Sequence, residues 1–170
     1  MHLGFSSMNT VHDPRPADLA KLLIDRDAGK PVDPAALESR VSDAVADVIG
    51  KQVDAGIDVV NDGEQGKSSY LHYLRDRVGG LELMGDTGPF ITLDQRDFPE
   101  HAATRGSLDR WERPACTGAL VWNDTDAVHR DIATLTAALG SVAPSEIFMT
   151  AASPGAASQY IVDRYYGSEE

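Results

Sequence analysis

Apolar residues in the stretch from 34 to 56 recur at three- and four-residue steps: Leu37, Val41, Ala44, Val45, Val48, Ile49 and Val53. This stripe predicts one amphipathic helix, opened by Asp33-Pro34 and closed at Gly56. Apolar residues then switch to the short run Ile57, Val59 and Val60, a strand, and stop abruptly at Asn61-Asp62-Gly63-Glu64. Tyr70, Leu71, Leu74 and Val78 share a side and predict a second helix over 68–78, ended by Gly79-Gly80. The run 115–122 reads as a strand. A helix over 125–139 follows, with Val128, Ile132, Leu135 and Leu139 on one face and Gly140 as its stop. A further apolar strand, 146–152, leads through Ser153-Pro154-Gly155 to a last helical segment ending at Tyr165-Tyr166.

The two ends of this pattern are less regular. Residues 2–5 read as a short first strand, 9–16 as a polar loop containing proline, and 17–25 as a helix. Between 85 and 114 Gly, Pro, Asp and Arg interleave, which predicts a long loop or small hairpin inserted between core elements. Strand and helix thus alternate four times along what reads as one domain of 170 residues. Continuous apolar strands between amphipathic helices predict an α/β fold with a parallel sheet covered by helices.

Charge narrows the partners. Fifteen basic residues against 27 acidic ones leave a net charge of −12, which repels nucleic acid and anionic membranes. Neither is an expected partner. No uncharged stretch approaches the roughly 18 residues that span a bilayer, and the start of the chain lacks the basic and apolar regions of a leader. With a single cysteine, Cys116, the chain forms no intrachain disulfide and no multi-cysteine metal site, so a reducing, cytoplasmic setting is expected.

Candidate chemistry gathers where the first clear strand ends. Asp62 and Glu64 fall at its carboxyl end, the edge where α/β proteins place their sites. Glu64 reads as a carboxylate for a cationic group, or as the capping acid of the next helix. Asp62, standing before Gly63, reads first as an acceptor for backbone N–H groups that would orient Glu64 or the loop. Ser153 opens a turn that could offer N–H donors to an anion, or serve geometry alone. Cys116 reads as a small buried hydrophobe rather than a nucleophile. His2, His12, His72, His101 and His129 share no metal-ligand spacing, and Trp111 and Trp122 read as packing residues rather than platforms for a flat ring.

The segment Gln52 to Gln65, followed by Tyr70 and Arg75, resembles the signature of the cobalamin-independent methionine synthase family. Arg15-Pro16-Ala17-Asp18-Leu19 resembles the segment after that family's first strand, and Thr150 to Gly155 with Tyr165-Tyr166 resembles its fourth-strand region. The resemblance implies a (βα)8 TIM-type barrel in which zinc activates a thiol for attack on an alkyl donor; relatives add coenzyme M to epoxides. It places Glu64 on the acid that holds the amino group of homocysteine. Ser6 or Ser7 falls near the serine that meets the substrate carboxylate, although Gly4-Phe5-Ser6-Ser7 departs from the usual Gly-Ser. Ser153 falls in a region lining the alkyl-donor side.

The resemblance also implies what lies elsewhere. The family's zinc ligands, a His, two Cys and a Glu, belong to the second half of the barrel, and a full barrel takes about 250 residues. The present chain resembles the first four βα units, a half-barrel. Zinc is then expected on residues outside this chain, and the expected partners are a second half-barrel chain or another copy, with a small-molecule thiol and an alkyl donor as ligands. The alternatives are a non-catalytic half-barrel that binds a small molecule or serves as an interaction scaffold, and a self-sufficient α/β fold.

Overall fold

The computed structural model describes residues 15–84, 93–100 and 113–167. They fall into two compact units: the described residues of Met1–Tyr73 with Asp124–Ala151, and those of Leu74–Asn123 with Ala152–Glu170.

In the first unit α1 (Ala17–Asp27), α2 (Pro34–Asp54) and α5 (Asp126–Ala138) accompany two short strands, β1 (Val59–Asn61) and β4 (Glu146–Phe148). The local chemistry explains α2. The Asp33 carboxylate accepts from Ala35 N–H at 3.0 Å, and Pro34 fills the first position, where no N–H is needed. At the other end Gly56 takes φ 77°, and its N–H reaches Val53 O while Ile57 N–H reaches Gln52 O. That pair of bonds is the Schellman stop, which requires a left-handed residue at the glycine position. The chain is thereby turned directly into β1, which pairs in parallel with β4 in the register Val60 to Ile147.

The stripe of α2 buries against Val60 of β1 and Leu135 of α5. Val45, Ile49, Val60 and Leu135 form one core cluster, flanked by Val41, Val53, Ala138, Leu139 and Met149. Leu19, Leu23 and Ala44 form a second, with Leu37 and Val41 beside it. Removing about 25 cal/mol of exposed apolar cost per Å2 drives this packing. The helix expected over 125–139 and the strand expected from 146 both appear, the strand shorter than its apolar run.

In the second unit β2 (Val78–Leu83), β3 (Pro114–Trp122) and β5 (Val162–Asp163) form a sheet in the order β2-β3-β5. β2 runs antiparallel to β3 and β5 parallel to it. The short helices α3 (Tyr70–Arg75), α4 (Leu93–Asp97) and α6 (Pro154–Ser158) complete the described elements.

Here the expectation of one parallel sheet is corrected. The helix expected over 68–78 stops at Arg75, and Gly79-Gly80 belongs to a strand rather than a helix end. The reason is non-local. Gly80, at φ 84°, sits in a register irregularity between Gly79 and Leu81, and a Cβ there would come within 2.6 Å of the Gly118 and Ala119 carbonyl oxygens. Two glycines thus permit a bulge pressed against β3, which periodicity within 68–78 does not encode. The described residues are therefore α/β with two small sheets, and no closed barrel is formed among them. Trp122, expected to pack, is 69% exposed at the end of β3.

Candidate functional site

Gln52, on the last turns of α2, fixes the start of the site. Its side-chain amide donates to Asn61 O at 2.9 Å and accepts from Asn61 N–H at 3.1 Å, clamping the last residue of β1 from both sides. The Asn61 side chain in turn accepts from Gly63 N–H at 2.7 Å. A two-residue left-handed step follows, Gly63 at φ 59° and Glu64 at φ 57°. Glycine adopts this freely. Glu64 does not, and among the described residues it is the one non-glycine held there. A Cβ on Gly63 would meet the Val48 methyl carbons at 3.0 and 3.1 Å, so the turn is also pressed onto α2.

A buried ion pair holds the step in place. Asp62 Oδ1 accepts from Glu64 N–H at 3.0 Å, and Asp62 Oδ2 accepts from Lys67 Nζ at 2.6 Å. Both side chains are almost fully enclosed, at 8% and 5% exposure. Desolvating two charges is costly, and this pair offsets the cost with a short bond and with the face of the Tyr73 ring 5.7 Å from the ammonium. The Tyr73 hydroxyl is anchored on Asp131 of α5 at 2.7 Å. Asp62 thus spends both oxygens inside the turn, as an orienter of Glu64.

Glu64 itself is half-buried, and one of its oxygens is heavily used. Oε1 accepts from the Tyr70 hydroxyl at 2.5 Å and from the Thr150 hydroxyl at 2.8 Å. Burial, and after it the Glu64 carboxylate, pushes the Tyr70 phenol up to about 12, so it remains a donor across the neutral range. No described residue donates to Oε2. The arrangement presents a carboxylate at the end of a parallel strand pair, with Oε1 taken by two hydroxyls and no donor to Oε2 among the described residues. A carboxylate oxygen of this kind has the chemistry to accept from a cation.

Beside it, Ser69 caps α3, accepting from His72 N–H at 3.2 Å. His72 Nδ1 lies 3.1 Å from Ser69 Oγ and 3.2 Å from Asp27 Oδ2. Burial works against the Asp27 carboxylate, yet hydrogen bonds from His72, Ser68 and Arg26 outweigh it and hold its pKa down at about 2. Ser69 and Asp27 both meet ring nitrogen Nδ1, so these three side chains do not line up as a nucleophilic triad.

The remaining candidates have other local surroundings or lie outside the described residues. Cys116 is buried in β3, its thiol turned to Gly118 O at 3.3 Å. Ser153 belongs to the second unit and caps α6, its hydroxyl accepting from Ala156 N–H at 3.1 Å. Ser6 and Ser7, together with His2, His12, His101, Trp111 and most of the 85–114 segment, lie outside the described residues. His129 is exposed on α5. Tyr70 and Thr150, to which periodicity assigns only a helix face and a strand, share one oxygen of Glu64, and Gln52 and Lys67 hold the turn, a role that periodicity assigns to neither. Lys67 carried a weak signal, a cation closing the polar run that opens at Asn61. The Thr150 contact spans 86 positions and has no local signal.

Among solved structures, the fold is similar to that of a B12-independent methionine synthase from Shewanella sp. W3-18-1, determined in complex with selenomethionine. The match has a TM-score of 0.59 at 20% identity and covers 81% of this chain. The chain spans 35% of that enzyme's length. No family model and no curated protein matches the chain. At this identity the likeness concerns the fold, and it agrees with the α/β reading.

Among the described residues no three His, Cys, Asp or Glu side chains are grouped to hold a metal ion, so these residues do not fit a zinc centre. No described helix is long and apolar enough to cross a membrane.

Proposed function

We propose that this chain supplies the substrate-anchoring half of a site that transfers an alkyl group, methyl foremost, to an amino-acid thiol such as homocysteine. Glu64 takes the ammonium group of that thiol. The observation that carries the reading is the Glu64 carboxylate, held in a strained left-handed conformation by Asp62 and Lys67 with Oε2 open. Strain of about 1–3 kcal/mol persists where surrounding contacts over-determine it, and such residues cluster at functional sites. The fold likeness to a methionine synthase, and the sequence resemblance that places Glu64 on that family's amino-binding acid, support the choice of ligand.

In this reading the zinc of such chemistry, with its ligands, belongs to a second half-barrel that completes the site. Exposed apolar residues on the first unit's strands favour a covering partner: Val59 is 40% exposed, Ile147 40% and Phe148 44%. Parallel strands are ordinarily enclosed on both faces. The same exposure fits the scaffold reading, in which the half-barrel binds partners without catalysis. Co-purification of the full chain with its native assembly, followed by metal analysis and a methyl-transfer assay on homocysteine, separates the two. Zinc in the assembly, none held stoichiometrically by the isolated chain, and thiol methylation that falls with Glu64→Gln are expected. Stoichiometric zinc on the isolated chain, or an assembly without transfer, would contradict the proposal.

A further inference from the structure

We infer that Tyr70 and Thr150 are positioning residues that make Glu64 a one-oxygen acceptor, so that the site selects a primary ammonium and rejects a guanidinium. The inference rests on the proposed role of Glu64 as the anchor for a cationic substrate group. It goes beyond that role by naming what decides which cation fits.

A carboxylate offers about two acceptor positions on each oxygen. At Oε1 both are taken, by the Tyr70 hydroxyl at 2.5 Å and the Thr150 hydroxyl at 2.8 Å. A guanidinium gains its affinity for carboxylates from two parallel N–H bonds, one to each oxygen. That fork needs a free position on Oε1 and finds none. An ammonium is a compact donor that needs a single oxygen, and Oε2 supplies it. The two hydroxyls also fix the carboxylate plane, because they come from separate parts of the first unit, Tyr70 from α3 and Thr150 from just beyond β4. Neither hydroxyl need touch the substrate for the selection to operate.

The test compares two ligands on the full chain by NMR titration: homocysteine, and its N-amidino derivative, in which a guanidinium replaces the ammonium. The wild-type chain is expected to favour homocysteine by about tenfold or more, the loss typical of one charged hydrogen bond. In the Tyr70→Phe/Thr150→Val double variant that ratio should fall to about threefold or less, while Thr150→Ser, which keeps the hydroxyl, should retain it. Thr150→Val alone should move the ratio in the same direction, so the test survives a double variant that fails to fold. A merely structural role would weaken both ligands together and leave the ratio unchanged, which would overturn the inference. Glu64→Gln separates the two levels. If it weakens homocysteine binding while the double variant keeps the wild-type ratio, the selection idea fails and the anchor stands. If it leaves homocysteine binding unchanged, both fail.

Discussion

Two turns follow short strands in this chain, and both open with a polar residue and contain a glycine. After β1 the chain runs Asp62-Gly63-Glu64; after β4 it runs Ser153-Pro154-Gly155. At Ser153 the hydroxyl is consumed by its own helix, which is five residues long, and a Cβ on Gly155 would meet nothing within 4 Å. At Asp62 one carboxylate oxygen closes the turn on Glu64 N–H, while the other takes the buried Lys67 ammonium, and the neighbouring Asn61 and Glu64 are held by Gln52 and Thr150 from distant parts of the chain. The difference lies in reach: the Ser153 hydroxyl bonds only its own helix, whereas the turn after β1 also holds a side chain in place through residues far along the chain.

That contrast can be broken by substitution. Lys67→Ala should have the largest effect, because it strands the Asp62 carboxylate in a buried position; a loss of about 3–5 kcal/mol in denaturant unfolding is expected. Next comes Gly63→Ala, which adds a methyl at positive φ against Val48 and should cost about 1–3 kcal/mol. Its counterpart Gly155→Ala, placed in a helix with open space around it, should be neutral or stabilising by up to about 1 kcal/mol. Ser153→Ala removes only a cap and should cost about 1 kcal/mol. Equal losses at Gly63 and Gly155 would erase the distinction between the two turns.

Acid sharpens the comparison. The Asp27 carboxylate, held at about 2 against an ordinary 3.8, is ionised more readily in the folded state than in the unfolded chain. Its contribution is complete above 3.8 and is lost as pH falls toward 2, amounting to about 2 kcal/mol. Asp27→Asn should flatten that limb of the stability profile in acid denaturation. An unchanged slope between pH 4 and about 2 would show that the His72 and Ser68 bonds do not persist in solution.

The legible parts of the fold are those with local causes. Asp33-Pro34 and Gly56 set both ends of α2 through caps written in adjacent residues, and the stripe from Leu37 to Val53 names the face that packs on Val60. The strand-end position of Glu64 follows from the same reasoning. What escaped was set by pairing across the chain. Val78 to Leu83 became a strand because β3 lies against it, and Gly79-Gly80, which locally signals a helix stop, serves instead as a bulge with no room for a Cβ. Glu64 could be named from its segment, but not the two hydroxyls that share its Oε1, since Thr150 lies 86 positions away. Lys67 is a further case. A lysine in a polar run reads as solvated, and only the enclosure of Asp62 turns it into a buried partner.

Calorimetric titration of the full chain with homocysteine and with 4-mercaptobutanoate, which lacks the amino group, measures whether Glu64 anchors an ammonium group through Oε2. The wild-type chain should bind homocysteine at least about tenfold more tightly, and Glu64→Gln should remove that preference, as expected for loss of one charged hydrogen bond. Equal affinity for the two thiols in the wild-type chain, or a preference that survives Glu64→Gln, would rule out the ammonium anchor at Glu64.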